Sequence, residues 1–130
     1  MEMVGGCGRI LVMDDEDVVR EVCVELLTEL GYEVESVVDG QAMLDSYRLA
    51  MQQGKAFALV IMDLTIPGGM GGREAMAALL EIDPAARGIV CSGYAGDPVM
   101  ADYEAYGFKA TCPKPFQFAA LSQVVKRVLS

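Results

Sequence analysis

The sequence predicts an α/β fold in which helices cover both faces of a parallel sheet. Short apolar runs without alternation indicate strands that are buried on both faces, as strands of parallel sheets are. Each run is followed by a segment with apolar residues at three- and four-residue spacing, which is typical of an amphipathic helix. This order occurs five times in 130 residues. Connections this short favour right-handed crossovers, so the prediction is one doubly wound (βα)5 domain.

The first half of the chain carries two strand and helix pairs. Arg9–Met13 predicts the first strand, and the spacing after it predicts a helix that Gly31 ends. Tyr32–Val38 predicts the second strand. The second helix is predicted to carry on its inner side Met43, Leu44, Tyr47 and Met51.

The central strand is predicted within Ala58–Pro67, where four apolar residues run without alternation into Asp63. Taken alone, Asp63 is as compatible with the start of a turn as with a functional role. In open α/β sheets, however, ligands bind at the carboxyl ends of the strands. The rest of the chain has to decide between these two interpretations.

The second half of the chain repeats the same order. Arg73–Ile82 predicts the third helix, Gly88–Cys91 the fourth strand and Phe108–Cys112 a weaker fifth strand. Pro98 opens the fourth helix, because proline is favourable at the first helical position. The apolar sides of the fourth and fifth helices are predicted to carry Val99, Met100, Tyr103, Tyr106, Phe118, Leu121, Val124, Val125, Val128 and Leu129.

The composition of the chain and the sequence near its N-terminus limit the kind of protein that it can be. Residues 1–8 are rich in glycine and predict a flexible leader or linker remnant before a domain at residues 9–130. No apolar stretch has the length of a membrane span and no secretory signal is visible, so we expect a cytoplasmic domain without membrane contact. The net charge of −9, from 19 acidic and 10 basic residues, argues against direct nucleic-acid binding.

The cysteines indicate core positions rather than a metal site. The four cysteines form no CxxC pair, and the chain has no histidine. A zinc site and a disulfide framework are therefore not expected. Cys23, Cys91 and Cys112 lie among apolar neighbours and are predicted to be small core residues.

Polar and charged side chains follow four of the five predicted strands. Asp14 and Asp15 come after the first strand, Asp63 after the third, Ser92 after the fourth and Lys114 after the fifth. Because the carboxyl ends of parallel strands meet at one edge of the sheet, these groups should be neighbours. Three carboxylates at close range repel one another unless a cation lies among them. Oxygen ligands with room for water favour Mg²⁺ as that cation.

This arrangement fits nucleophilic attack by the Asp63 carboxylate on phosphorus. Mg²⁺, the Lys114 ammonium and the Ser92 hydroxyl would spread the charge of the resulting acyl phosphate. Because the chain has no histidine to activate water, hydrolysis should be slow. We therefore expect a long-lived phosphoryl group and a switch, rather than an independent enzyme.

Four motifs, ILVMDDE, IMDLTIP, VCSGY and PKPF, stand in this order between Arg9 and Leu129. Together they resemble the receiver domain of two-component response regulators, and four motifs in one order are far more specific than any one of them. The resemblance implies a flavodoxin-like three-layer sandwich with the parallel strand order 2-1-3-4-5. It also implies a sensor histidine kinase or a histidine phosphotransfer protein as the partner, with phosphohistidine as the phosphoryl donor.

The same resemblance implies roles for the residues at the strand ends. Asp63 is the phosphoacceptor, Ser92 the switch hydroxyl and Lys114 the lysine of the family's site. In the acidic pair, Asp15 is the direct Mg²⁺ ligand. The implied metal ligands together are Asp14, Asp15, Asp63 and the backbone carbonyl of Thr65.

Two departures from the family pattern are visible. The loop after the phosphoacceptor usually reads P-x-M-D-G, whereas residues 67–72 read PGGMGG, one residue longer and without the acid. Thr111 stands three residues before Lys114, where many receivers carry an aromatic switch residue, so coupling to an aromatic rotamer is in doubt. Phe108 and Tyr106 lie nearby, and both are predicted to pack in the core.

The sequence leaves open in what kind of protein this domain works. Longer loops of the PGGMGG kind recur in receivers attached to hybrid sensor histidine kinases, which is the context we expect. A stand-alone single-domain regulator is the alternative, and a homodimer is left open. A small Mg²⁺-dependent aspartyl phosphohydrolase is disfavoured, because Asp63-Leu64-Thr65 lacks the second aspartate of the haloacid-dehalogenase type. A binding module that has lost phosphorylation is disfavoured by the intact strand-end residues.

Overall fold

The computed structural model describes residues 5–130, and residues 1–4 of the predicted leader lie outside them. In the described part of the leader, the Gly6 amide donates a hydrogen bond to the Leu30 carbonyl at 2.9 Å. The Glu33 amide donates to the Gly8 carbonyl, also at 2.9 Å. These residues therefore lie against the connection between the first helix and the second strand. The division of the chain at residue 9 stays a prediction.

The described residues form a parallel sheet with helices on both faces. The strands are β1 (Arg9–Met13), β2 (Glu33–Val37), β3 (Leu59–Asp63), β4 (Gly88–Ser92) and β5 (Ala110–Pro113). The helices are α1 (Asp17–Glu29), α2 (Gly40–Gln52), α3 (Gly72–Ile82), α4 (Pro98–Ala101) and α5 (Phe118–Leu129). The sheet order is β2-β1-β3-β4-β5 with every pair parallel, which confirms the predicted doubly wound, flavodoxin-like sandwich. None of these helices is long and apolar enough to cross a membrane.

Alternate strand residues build two hydrophobic cores, one on each face of the sheet. Leu11 and Val60 pack with residues of α2 and α3, whereas Ile10 and Ile61 pack with residues of α1 and α5. Every position of β3 and β4 is buried, as expected for central strands that are covered on both faces. Because close-packed interiors resist displacement, β3 holds the residue at its end in a fixed position.

The fourth helix is shorter than the sequence predicts. α4 covers only Pro98–Ala101, and the Asp97 side chain caps its N-terminus by accepting a hydrogen bond from the Val99 amide. Asp102 then leaves the helical conformation, and a 3₁₀ turn follows at Tyr103–Tyr106. Short helices depend on the surface they pack against, and only the second and third residues of α4 are buried. The tyrosines at either end of the 3₁₀ turn are partly buried, so the apolar spacing is kept without a continuous helix.

Two predicted inner positions and several strand boundaries also differ. Met51 on α2 is 40% exposed, and Phe118 at the start of α5 is 48% exposed. Both stand in the terminal turn of a helix, where fewer neighbouring elements cover a side chain. β5 begins at Ala110, two residues later than predicted.

Three strands end at residues that were predicted to form the site. Asp63 is the last residue of β3, Ser92 is the last of β4, and Lys114 directly follows β5. The register pairs Asp63 with Cys91 and Ser92 with Pro113, so the ends of neighbouring strands stay level. The Lys114 amide also donates to the Ser92 carbonyl at 2.9 Å. The parallel register therefore brings the three side chains to one edge of the sheet.

We predict that Leu79→Ala lowers the free energy of unfolding by about 2–5 kcal/mol, because Leu79 on α3 is fully buried and truncation leaves a cavity. Leu49→Ala is the matched control, since Leu49 on α2 is 53% exposed and its loss should cost less than about 0.5 kcal/mol. Urea unfolding followed by circular dichroism measures both values. Equal losses for the two variants would contradict the assigned packing of α3.

Candidate functional site

A buried ion-pair triad lies at the carboxyl edge of the sheet. The Lys114 ammonium lies 2.6 Å from Oδ2 of Asp14 and 3.2 Å from Oδ2 of Asp63. Asp14 is 2% exposed and Asp63 is 7% exposed, so one cation joins two carboxylates that have little contact with water. Loss of the Lys114 ammonium would be strongly destabilising, because it would leave both buried carboxylates without their partner. The fold thus assembles this triad from residues that stand 100 positions apart.

Burial of the triad shifts two of its pKa values. Burial raises the pKa of Asp63 above its ordinary value of 3.8; Lys114 opposes this rise, and Asp14 adds to it. Burial by itself would lower the pKa of Lys114, but the hydrogen bond it donates to Asp14 and the charges of both carboxylates outweigh that effect and raise it. Lys114 is therefore a cation at neutral pH, whereas the negative charge of Asp63 has less solvation than it would have in water.

Three consecutive acids adjoin the triad. Carboxylate oxygens of Asp14, Asp15 and Glu16 lie within 4.8 Å of one another. Both oxygens of Asp14 have partners, since Oδ1 accepts from the Glu16 amide at 2.9 Å and Oδ2 pairs with Lys114. Asp15 and Glu16 are exposed. The cluster is a set of hard oxygen donors of the kind that Mg²⁺ prefers, with Asp15 as the exposed member of the predicted acidic pair.

Two residues at the site, Glu16 and Arg20, were not predicted from the sequence. Glu16 completes the acidic cluster, and its position as the third acid in a row is a signal that the sequence carries. The Arg20 guanidinium donates to the backbone carbonyl of Asp14 at 2.7 Å and pairs with Asp17. Arg20 therefore holds the turn that carries the acids and offsets part of their repulsion. No sequence signal marks this contact, because it depends on the angle at which α1 leaves β1.

Ser92 lies in the same cleft as Asp63. It is 9% exposed, and its Oγ accepts a hydrogen bond from the Tyr94 amide at 3.0 Å. Oδ1 of Asp63 accepts from the Thr65 amide at 3.3 Å. The open cleft measures about 480 Å³ and is lined by Asp15, Glu16, Asp63, Thr65, Pro67, Ser92, Gly93, Tyr94 and Lys114. It therefore has room for a phosphoryl group and a hydrated cation beside the Asp63 carboxylate.

The long glycine-rich loop after Asp63 is packed closely against the end of its strand. A Cβ atom on Gly71 would lie 2.3 Å from the Leu64 carbonyl oxygen, which is too close for any other residue. Gly68 adopts φ +74°, the left-handed region that glycine enters without strain. The Met70 carbonyl accepts from the Gly40 amide at 2.8 Å and ties the loop to the start of α2. The loop thus accommodates its additional residue while staying attached to two elements of the fold.

The position of the family's aromatic switch residue is occupied by a partly buried Thr111. Thr111 is the register partner of Val90 in the neighbouring strand. Phe108 is 2% exposed and belongs to the core, as predicted. Tyr106 is only partly buried, and the guanidinium carbon of Arg73 lies 5.1 Å from its ring centroid. Phe108 lies in the core that contains Val90, the register partner of Thr111, and Tyr106 packs against that core.

The part of the chain that carries the strand-end residues matches the sequence profile of a known family. The sequence profile described as the response regulator receiver domain matches residues 10–126. The chain belongs to this family. The matched segment runs from β1 into α5 and contains every residue of the triad, the acidic cluster and the cleft. Receiver domains are the phosphoryl-accepting modules of two-component signalling, so family membership does not favour the aspartyl phosphohydrolase.

The receiver resembles both short proteins and a part of a long one. The chemotaxis protein CheY of Thermotoga maritima is 29% identical over 121 residues, which cover 92% of this chain and 96% of that protein. CheY of Bacillus subtilis is 30% identical over 124 residues, which cover 94% and 98%. The sensor kinase CckA of Brucella abortus is 29% identical over 124 residues, which cover 95% of this chain but 13% of the kinase.

Solved receiver structures share the fold. The response regulator TrrA of Thermotoga maritima, solved with Mg²⁺ and beryllium fluoride, has a TM-score of 0.78 and 30% identity over 94% of this receiver and 99% of that chain. The CheY of a CheX–CheY–BeF3–Mg²⁺ complex from Borrelia burgdorferi has a TM-score of 0.85 over 95% of this receiver and 90% of that chain. At 23% identity, the second structure supports the fold alone.

We predict that Asp63→Asn stabilises the metal-free receiver at neutral pH, because it removes a carboxylate whose pKa burial raises. The folded state binds the Asp63 proton more tightly than the unfolded chain does, so ionised Asp63 opposes folding above its raised pKa. The advantage of the variant should disappear as the pH falls through that raised pKa towards the ordinary value of 3.8.

Urea unfolding at a series of pH values, with a chelator present, measures this difference. Asp45→Asn is the control, because Asp45 is exposed on α2 and its weak pair with Arg48 spans 3.8 Å. An Asp63→Asn advantage that grows towards acidic pH would show that the sign of the Asp63 contribution is wrong.

Proposed function

We propose that this receiver accepts a phosphoryl group from a phosphohistidine on Asp63 and thereby switches a protein interaction surface. One observation carries the proposal. A single lysine ammonium joins the buried carboxylates of Asp63 and Asp14 inside a cleft that also holds the Ser92 hydroxyl. A buried carboxylate beside a fixed cation and a hydroxyl is suited to attack on phosphorus, because both groups can bind the oxygens of the transferred phosphoryl group.

The transfer forms one bond and breaks one. An oxygen of the Asp63 carboxylate attacks phosphorus, the bond from phosphorus to the imidazole nitrogen breaks, and its electron pair leaves with the imidazole. The product is an acyl phosphate on Asp63. The Lys114 ammonium acts as a point charge on a phosphoryl oxygen, a role for which a compact cation suits better than a guanidinium. Because the chain has no histidine as a strong base, we infer slow hydrolysis and no independent enzymatic activity.

The acidic cluster fits Mg²⁺, which receiver domains require. Asp14, Asp15 and Glu16 bring carboxylates within 4.8 Å of one another, and Asp63 lines the same cleft as Asp15 and Glu16. These four acidic residues together carry more negative charge than one lysine offsets. We assign the ion to Asp15, Asp63 and the backbone carbonyl of Thr65, with Asp14 as the second acid of the pair. When bound, the ion would add positive charge for the oxygens of the transferred group.

The partner that we propose is a sensor histidine kinase or a histidine phosphotransfer protein. A second cleft of about 560 Å³ adjoins the first and shares Glu16, Gly93 and Lys114 with it. Its walls are otherwise apolar, and Val18 and Phe118 there are 70% and 48% exposed. A protein that brings a phosphohistidine to Asp63 would cover this apolar surface in the same encounter, which favours a protein donor.

The output surface that we propose comprises α4, β5 and α5. Ser92 ends β4 and leads directly into the loop before α4, and α4 is only one turn long with two buried residues. An element with so few buried contacts changes its position at low cost in free energy. A phosphoryl group that engages Ser92 and Lys114 would therefore act on this face first.

We propose the receiver of a hybrid sensor histidine kinase as the context of this chain. The match to a segment of CckA and the long PGGMGG loop support it, whereas the matches to CheY over nearly their whole length suit a stand-alone regulator. A reading frame that encodes a histidine kinase upstream of Met1 would support the hybrid context, and a stop codon directly upstream would reject it. A cytoplasmic location, the absence of nucleic-acid or membrane contact and a homodimer remain predictions.

We predict that the parent receiver gains one phosphoryl group from an acyl phosphate or a phosphoramidate in the presence of Mg²⁺, and that Asp63→Asn gains none. The reason is that an amide is not a nucleophile towards phosphorus under these conditions. Intact-mass spectrometry counts the phosphoryl groups, and Asp45→Asn on α2 should behave as the parent does. If Asp63→Asn were modified as readily as the parent, Asp63 would not be the acceptor.

We predict that Asp15→Asn weakens Mg²⁺ binding by about tenfold or more, because it removes a charged ligand from the acidic cluster. Isothermal titration calorimetry measures the affinity directly. Glu21→Gln is the matched control, since it removes one exposed charge from α1 outside the cluster. Equal affinities for the parent and Asp15→Asn would place the ion elsewhere.

A further inference from the structure

A pair of buried thiols lies beside the site and takes no part in the proposed phosphotransfer. Cys91 on β4 and Cys112 on β5 are register partners in neighbouring parallel strands. They are 1% and 2% exposed and belong to the core between the sheet and helices α1 and α5, as the sequence predicts. Register partners on neighbouring strands direct their side chains to the same face of the sheet, so the two sulfur atoms are adjacent.

The two thiols interact with each other. A side-chain hydrogen bond between them, together with burial, raises the pKa of Cys91, and the same bond lowers the pKa of Cys112 against the effect of burial. Cys112 is the member of the pair that stands on the edge strand β5, and the thiolate is the reactive form of cysteine. Cys23 on α1 belongs to the same core but is not a register partner of either strand thiol, and burial raises its pKa to about 12.

The thiol pair is connected through the backbone to Ser92, Lys114 and Asp63. Cys91 directly precedes Ser92, and Cys112 stands two residues before Lys114. The Cys91 carbonyl accepts a hydrogen bond at 2.9 Å from the amide of the residue that follows Asp63. A shift of β4 against β5 at the thiols would therefore move the hydroxyl, the ammonium and the phosphoacceptor relative to one another.

We propose that Cys91 and Cys112 form a reversible disulfide with hydrogen peroxide as the oxidant, and that this bond slows phosphoryl transfer to Asp63. The effect on the rate rests on the proposed function, whereas the formation of the disulfide does not. Neighbouring strands lie about 4.8 Å apart, within the range of about 4.4–6.8 Å that disulfides accept between Cα atoms. A disulfide holds its Cβ atoms about 3.5–4.5 Å apart with a fixed dihedral angle, so the bond would constrain the spacing and orientation of the two strand ends.

The chemistry needs only the two thiols and peroxide. The Cys112 thiolate attacks one peroxide oxygen, the O–O bond breaks, and the leaving hydroxide takes up the thiol proton as water. The sulfur of Cys91 then attacks the sulfenic sulfur, and the second water leaves with the Cys91 proton. Both sulfur atoms are oxidised and peroxide is reduced to two waters, and a dithiol reverses the reaction by exchange. β5 is a four-residue strand at the edge of the sheet, where local opening would admit a small oxidant.

The test uses the whole chain with Cys7→Ser, which removes the exposed thiol. After treatment with hydrogen peroxide and blocking of free thiols, trypsin cleaves at Arg87 and Lys109 but not before a proline. Cys91 and Cys112 then lie in separate peptides, residues 88–109 and 110–126. We expect mass spectrometry to find these two peptides joined. Their absence, or a peptide joining Cys23 to Cys112 in their place, would overturn the proposal.

The second readout is the rate of phosphoryl transfer from an acyl phosphate with Mg²⁺. Misplacement of reacting groups by about 1 Å can cost up to about 100-fold in rate. We expect the peroxide-treated protein to be slower by about tenfold or more, with recovery after a dithiol. Cys91→Val and Cys112→Ala should keep their rates through the same treatment, Cys23→Ala should lose its rate as the parent does, and urea unfolding checks that each variant folds.

Two further outcomes separate the two proposals. Joined peptides with an unchanged rate would overturn the regulatory effect and leave the phosphoacceptor intact. A reduced protein that accepts no phosphoryl group would reject the proposed function, and with it the effect on the rate. The joined peptides would still establish the disulfide in that case.

Discussion

The ion pairing of Lys114 with two buried carboxylates is the interaction on which the rest of the site depends. Asp14 and Asp63 are nearly inaccessible to water, and their mutual repulsion without a cation would protonate one of them or open the edge of the sheet. Lys114 offsets this repulsion from the end of β5, an edge strand of the sheet. The same contact therefore ties an edge strand to the centre of the sheet and keeps a carboxylate ionised for chemistry.

The strands position some of the site residues, and polar contacts in the loops position the others. Strands β3 and β4 are buried at every position, so Asp63 and Ser92 are mounted on the most rigid part of the molecule. The acids of the first loop are held differently, by the Arg20 guanidinium on the Asp14 carbonyl and by the Glu16 amide on the Asp14 carboxylate. Polar contacts therefore fix the geometry of this loop, because core packing no longer constrains the chain beyond the end of the strand.

Most of the fold and the members of the triad followed from the sequence, because each depends on a local pattern. Unalternating apolar runs identify strands buried on both faces, and a parallel sheet brings whatever follows those runs to one edge. The failures have a common cause. The break at Asp102 and the contact of Arg20 with Asp14 depend on how neighbouring elements pack, and the apolar spacing of α4 is the same for a helix and for a helix followed by a 3₁₀ turn.

The hydrogen bonds around Ser92 indicate how a local charge would reach the face with α4. In this structure the Ser92 hydroxyl accepts from the Tyr94 amide, and the Tyr94 carbonyl accepts from the Asp97 amide at 3.2 Å, directly before α4 begins. Under the proposed function, a hydroxyl that turned towards a phosphoryl oxygen would leave the Tyr94 amide without its acceptor. The loop would then lose one of the contacts that place α4, and a one-turn helix has little buried surface to resist the change. Thr111 need not rotate for this route, so a receiver without the family's aromatic switch residue retains a connection from Asp63 to its surface.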